Sequence, residues 1–143
     1  MTIPPAVATF RKLHESGCFV IPNPWDVGSA VALHQLGFRA LASTSSGLAF
    51  THGLPDRVSA ASLDTTLDHL RALVGATPLP VSADFQAGFA VTASELTENV
   101  RRCVATGVAG LSIEDATGDR AAPLYERATA IERIRVARKA IDA

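Results

Sequence analysis

Two kinds of segment alternate along this chain, and the alternation limits its fold more than any other feature. Short, nearly continuous apolar runs stand at residues 18–21 (CFVI), 40–43 (ALAS), 79–84 (LPVSAD) and 110–115 (GLSIED). Between and after them lie longer stretches with helical spacing, at about residues 25–36, 59–74, 92–106 and 128–141, with an opening helix over 6–15. Short runs without polar alternation suit parallel strands whose outer face is covered by helices. Strand-then-helix repeated four times predicts an α/β fold with right-handed crossovers.

The helices carry readable ends. In the third long stretch Leu96, Val100, Cys103 and Val104 recur at three- and four-residue steps and form one apolar stripe. Thr92 or Ser94 can cap its start, and Gly107 follows its last periodic residue as a C-terminal glycine would. Gly37 closes the helix before ALAS in the same way. Ser59 or Ser62 can cap the next helix, and Pro78 and Pro80 bar it from running into the following strand. No Gly/Ser-rich linker divides the chain, so its 143 residues read as a single domain. Two architectures share this rhythm: a small open doubly wound sheet, and part of a closed barrel. A complete (β/α) barrel takes about 250 residues, so four units are about half of one.

Composition narrows the function classes. Hydrophobic residues make up 48% and charged residues 19%, a globular balance that excludes a disordered chain. A net charge of −1 offers no electrostatic footprint for nucleic acid or an anionic membrane. No stretch of about 20 apolar residues or leader-type h-region occurs, so a cytoplasmic location is expected. Cys18 and Cys103 lie far apart and outside any CxxC pattern, which predicts two reduced, mostly buried thiols.

In either architecture ligands bind beyond the C-terminal ends of the strands. The residues there are polar or glycine-bearing: PNPWD with Trp25 and Asp26, TSSGLAFTHGLPD, DFQAGF, and EDATGD. Asp84 and Glu114 each stand at a strand exit. Adjacent strands lie about 4.8 Å apart, so two such carboxylates can converge on one ion. An all-oxygen set without histidine suits Mg²⁺ or Mn²⁺ better than Zn²⁺. Asp115 reads as a cap or a salt-bridge partner. The Thr44–Leu48 run offers hydroxyls, a glycine and successive N–H groups that can hold a carboxylate or phosphoryl group. His14, His34 and His69 fall on helices as solvated or partly packed side chains, whereas His52, in the loop before Asp56, can face the site.

The ordered set PNPWDVGSA, ALASTSSGLAFTHGLPD, LPVSADFQAGF and GVAGLSIEDATG resembles the isocitrate lyase/phosphoenolpyruvate mutase superfamily, from about residue 10 to 140. PLYERATAIERIRVARKA resembles its poorly characterised branch. The resemblance implies the front half of a (β/α)8 barrel of TIM type. It implies that Ser45, Ser46, Gly47 and Leu48 receive the carboxylate of a 2-oxo acid, with Trp25 beside them. It implies that Asp84 binds Mg²⁺ directly, that Glu114 and Gln86 reach the metal through water, and that Asp56 sits in its outer shell. Asp56 and Ser46 are the catalytic candidates, and Asp26 is a helix N-cap.

The implied reaction is cleavage or rearrangement of a C–C or P–C bond in a small 2-oxo acid through a metal-stabilised enolate. The sequence departs from the superfamily pattern in three ways. Gln86 stands where a second acid is usual. The loop carrying the lyase cysteine is replaced by DATGDRAAPLY, and the substrate contacts of the later strands have no counterpart. Isocitrate or methylisocitrate cleavage is therefore not expected. Two other readings remain open: a catalytically silent half-barrel that at most binds a small carboxylate, and a flavodoxin-like binding domain. Four units would leave bare sheet edges and an uncovered apolar interior, which predicts a homo-oligomer, such as two halves closing one barrel, or poor solubility.

Overall fold

The computed structural model describes residues 3–143. Its elements in chain order are α1 (Pro5–Leu13), α2 (Val27–Gln35), β1 (Leu41–Ala42), α3 (Ser45–Thr51), α4 (Leu63–Ala76), β2 (Val81–Asp84), α5 (Ala93–Val104), β3 (Gly110–Ser112) and α6 (Arg127–Asp142). The three strands form one parallel sheet in the order β1-β2-β3. The register pairs Leu41 with Val81, Ser82 with Gly110, and Asp84 with Ser112.

Alternation along the strands divides the sheet into two faces. Leu41 and Val81 pack with Ala30 and Leu73, while Ala83 and Phe85 pack with Leu67, Leu70, Leu96, Val100, Cys103 and Ala137. Helices α2, α4, α5 and α6 thus cover one face. The opposite face carries Ala42, Ser82, Gly110, Asp84 and Ser112. This corrects the expectation of an apolar interior: the residues there are small and polar. Phe10 of α1 covers the N-terminal end of that face, since a Cβ on Gly110 would lie 2.8 Å from its ring.

Among the described residues the chain forms three strands where four were expected. Residues 18–21 form no strand, and among the described residues one backbone hydrogen bond joins the sheet to the chain just after them, from Ala42 N–H to the Pro22 carbonyl at 3.0 Å. The reason is local. Pro22 and Pro24 have no N–H to donate, and the Asn23 side-chain amide donates to the Ala42 carbonyl in their place, at 3.1 Å. Phe19 is instead held against α1 by edge-to-face contacts with Phe10 and His14, at centroid distances of 6.5 and 4.9 Å.

The helix ends follow the sequence closely. Thr92 and Glu95 form a reciprocal capping box on α5, Asp26 does the same with Ser29 on α2, and Ser62 caps α4. The stripe of α5 buries Leu96, Val100 and Cys103, but Val104 stays 39% exposed. Both cysteines are free, and Cys18 is exposed where burial was expected. Burial raises the Cys103 thiol to about 12, so it stays protonated. Among the described residues no helix is long and apolar enough to cross a membrane.

Candidate metal and substrate site

The exits of β2 and β3 meet at Gln86. Its backbone N–H donates to Asp84 Oδ1 at 3.3 Å, and its carbonyl accepts the Glu114 N–H at 2.8 Å. Its side-chain Oε1 accepts the Ser59 N–H at 2.7 Å, which ties down the loop that carries Asp56. One buried residue therefore links all three acidic positions. Asp84 is fixed from a third direction: its own N–H donates to Ser43 Oγ at 2.9 Å, and its Oδ2 accepts the Ser45 N–H at 2.8 Å.

The electrostatics of Glu114 register both its burial and its acidic neighbours. The carboxyl of Glu114 is raised above the ordinary glutamate range, first by loss of solvation and then by Asp84, Asp56 and Asp115. A cation placed among them would reverse that repulsion. Among the described residues no three His, Cys, Asp or Glu side chains form a ready metal cluster. Any cation held here would take one or two carboxylates and complete its shell with oxygen from water and substrate, the habit of Mg²⁺. Asp84 and Glu114 are the residues that could hold it, and Asp56 is near enough to act on Glu114.

The oxygen of Gln86 is already engaged by Ser59, so this side chain acts first as a structural link. Residues 45–48 are not an open turn. They form the first turn of α3, capped by Thr44, whose Oγ1 accepts the Gly47 N–H at 3.1 Å. The Leu48 N–H bonds to the Thr44 carbonyl and the Ser45 N–H to Asp84, so three of the four expected amides are occupied. Ser46 Oγ lies 3.2 Å from Thr44 Oγ1. Gly47 makes room for protein rather than ligand: a Cβ there would lie 3.1 Å from the Cβ of Trp25 and clash with the Thr44 methyl. Trp25 itself is 53% exposed beside this turn.

Asp26 caps α2 as expected. Asp115 is neither cap nor ion-pair partner among the described residues; Glu126 occupies the N-cap of α6. His52 ends α3 and lies near enough to His69 to lower its pKa, an alternative to facing the acids. Three contributors lay outside the sequence reading, Ser43, Asn99 and Arg133, and Ser59, read there as a helix cap, instead donates to Gln86 while Ser62 caps α4. Asn99 stands three residues after Leu96, and Arg133 four before Ala137, both on apolar stripes. A polar residue on an apolar stripe was the available signal.

Comparison with known proteins decides the family. The family model described as phosphoenolpyruvate phosphomutase matches residues 10–143. The chain belongs to the phosphoenolpyruvate mutase family. Among structures similar to this family member is that of a provisionally assigned lyase/mutase from Burkholderia cenocepacia J2315. It has a TM-score of 0.92 and 46% identity, over 96% of this chain and 50% of the other. Oxaloacetate acetylhydrolase in complex with its product oxalate has a TM-score of 0.83 and 27% identity, over 92% of this chain and 47% of the other. The 2-methylisocitrate lyase of Escherichia coli K12 is 33% identical over 98 residues, 64% of this chain and 33% of that enzyme. The chain thus spans half or less of the length of these mutase-family relatives. The family contains lyases and mutases, which supports an enzyme at the family level.

Proposed function

We propose that this chain carries the metal- and substrate-anchoring part of a lyase- or mutase-type site for a small 2-oxo acid, within the front half of a (β/α) barrel. The observation that supports this reading most is the convergence of Asp84 and Glu114 on Gln86 at neighbouring strand ends, with Glu114 raised by burial and then by the acids around it. A bound Mg²⁺ or Mn²⁺ would supply Lewis-acid charge for a 2-oxo carboxylate and its enolate oxygen. Asp84 is held by Ser43 and Ser45 with lone pairs to spare, which suits a direct ligand. Glu114 would act through water, and Asp56 would sit outside it. Ser46, with its amide and hydroxyl at the start of α3, is the nearest remaining donor for a substrate carboxylate, and Trp25 borders it. A cytoplasmic setting and self-association belong to the same reading; two free thiols support the first.

Calorimetric titration of Mg²⁺ with oxalate, a planar mimic of a pyruvate enolate, tests the proposal. Metal-dependent oxalate binding that is lost in Asp84→Ala is the expected result. The oxalate complex of oxaloacetate acetylhydrolase makes that anion a suitable probe. No binding by either protein would favour a silent domain over an enzyme site.

A further inference from the structure

The loop that carries Gln86 has a demanding backbone. The non-glycine residues with positive φ among the described residues are Ser59 (56°), Gln86 (47°) and Phe89 (53°). Two of them lie in this loop, and the third is the residue that donates to the Gln86 side chain. Gly88 adds a fourth left-handed position at φ 77°, packed so closely on Leu96 that a Cβ would clash with its methyl. Left-handed residues that bear side chains cost energy and persist only where their surroundings hold them.

The surroundings that hold them are two side chains from behind the sheet. Asn99 of α5 donates from Nδ2 to the carbonyls of Gly88 and Phe89, at 3.1 and 2.9 Å. Arg133 of α6 is only 7% exposed, and its Nη2 donates to the carbonyls of Ala87 and Ala90, the latter at 2.9 Å. Its guanidinium lies 4.6 Å from the centre of the Tyr125 ring, which flanks it on another side. Four consecutive carbonyls, 87 to 90, are thus gripped by one amide and one guanidinium.

We propose that Asn99 and Arg133 are positioning residues that set the spacing of Asp84 and Glu114 by locking the loop from Gln86 to Ala90. Both acids are bonded to the backbone of Gln86, so rotation of that residue out of its left-handed state would break the Glu114 N–H and Ser59 N–H bonds together. The consequence for metal affinity rests on the function proposed above; the effect on the loop does not.

The test uses Asn99→Asp, which keeps the shape but replaces donors with acceptors, and Arg133→Lys, which keeps the charge but loses the planar fork. Amide hydrogen exchange is read residue by residue. The expected result is a loss of protection of about tenfold at Glu114 and Ser59, with Leu70 and Val100 unchanged, and restoration in Asn99→Gln. A parallel Mg²⁺ titration should show affinity weakened about 10- to 100-fold. Unchanged protection at Glu114 and Ser59 would overturn the proposal. Loss of protection at every amide together, outright unfolding included, would also overturn it, because both side chains would then serve stability alone. If the unaltered protein binds no Mg²⁺, the metal reading fails while the exchange measurement still decides the clamp.

Discussion

Glu114 stands where stability and the proposed metal role pull against each other. Its folded pKa is raised from 4.5 by lost solvation and by Asp84, Asp56 and Asp115. Over the window just above 4.5 the folded state then holds more protons than the unfolded state, so stability falls as pH rises through the folded pKa. Glu114→Gln removes that titration. The variant should be the more stable protein at pH 7 without metal, by under about 1 kcal/mol because the side chain is partly solvated. Its stability should also change less between pH 4 and 7. Thermal unfolding across that range checks both points, and a variant less stable than the parent at pH 7 would contradict the repulsion. Added Mg²⁺ should narrow or reverse the gap, since only the parent has the carboxylate to offer.

The pairing of α3 with α4 brings a second titration into the fold. His69 on α4 is partly buried, and its Nε2 has no hydrogen-bond partner. Burial and then His52, at the end of α3, lower its pKa below 6.5, against a smaller opposing pull from Asp26. The unfolded state therefore takes up a proton first as the medium acidifies, and stability declines as pH falls below 6.5. His69→Gln should flatten that decline, with a difference under about 1 kcal/mol since the ring keeps some contact with water. Melting curves at pH 7.5 and 5.5 would show it, and equal acid sensitivity in the two proteins would move the cause elsewhere. These elements were legible to different degrees. α5 was readable because twelve residues show the apolar period, a capping box and a closing glycine together. α3 was not, because seven residues of serine, glycine and threonine character give too few turns for a period to emerge. Asp84 and Glu114 could be proposed because strand ends carry them; the grip of Asn99 and Arg133 on residues 87–90 required the third dimension.

As a whole molecule, the sheet ends on a strand with an unpaired edge. β3 pairs only with β2, and its far side carries no strand among the described residues. Beside that edge, Ile131 and Ile134 of α6 are 41% and 50% exposed and border Ile113, forming an apolar strip at the margin of the acids. Free backbone groups next to apolar side chains form a template for another chain. At the opposite margin, residues 18–21 have strand character but no ladder of their own, with Val20 66% exposed. A two-fold axis through the sheet opening would bring each such segment beside the β3 edge of a partner and keep all strands parallel, as closure of a barrel requires. The proposed self-association would thus rest on edges and the α6 strip rather than on an apolar interior. Sedimentation of this chain should give twice the monomer mass, and Ile131→Lys with Ile134→Lys should return it to monomer without loss of helical signal. A monodisperse monomer for the unaltered chain at tens of micromolar would remove self-association from the account and leave the single-chain site as the unit that binds.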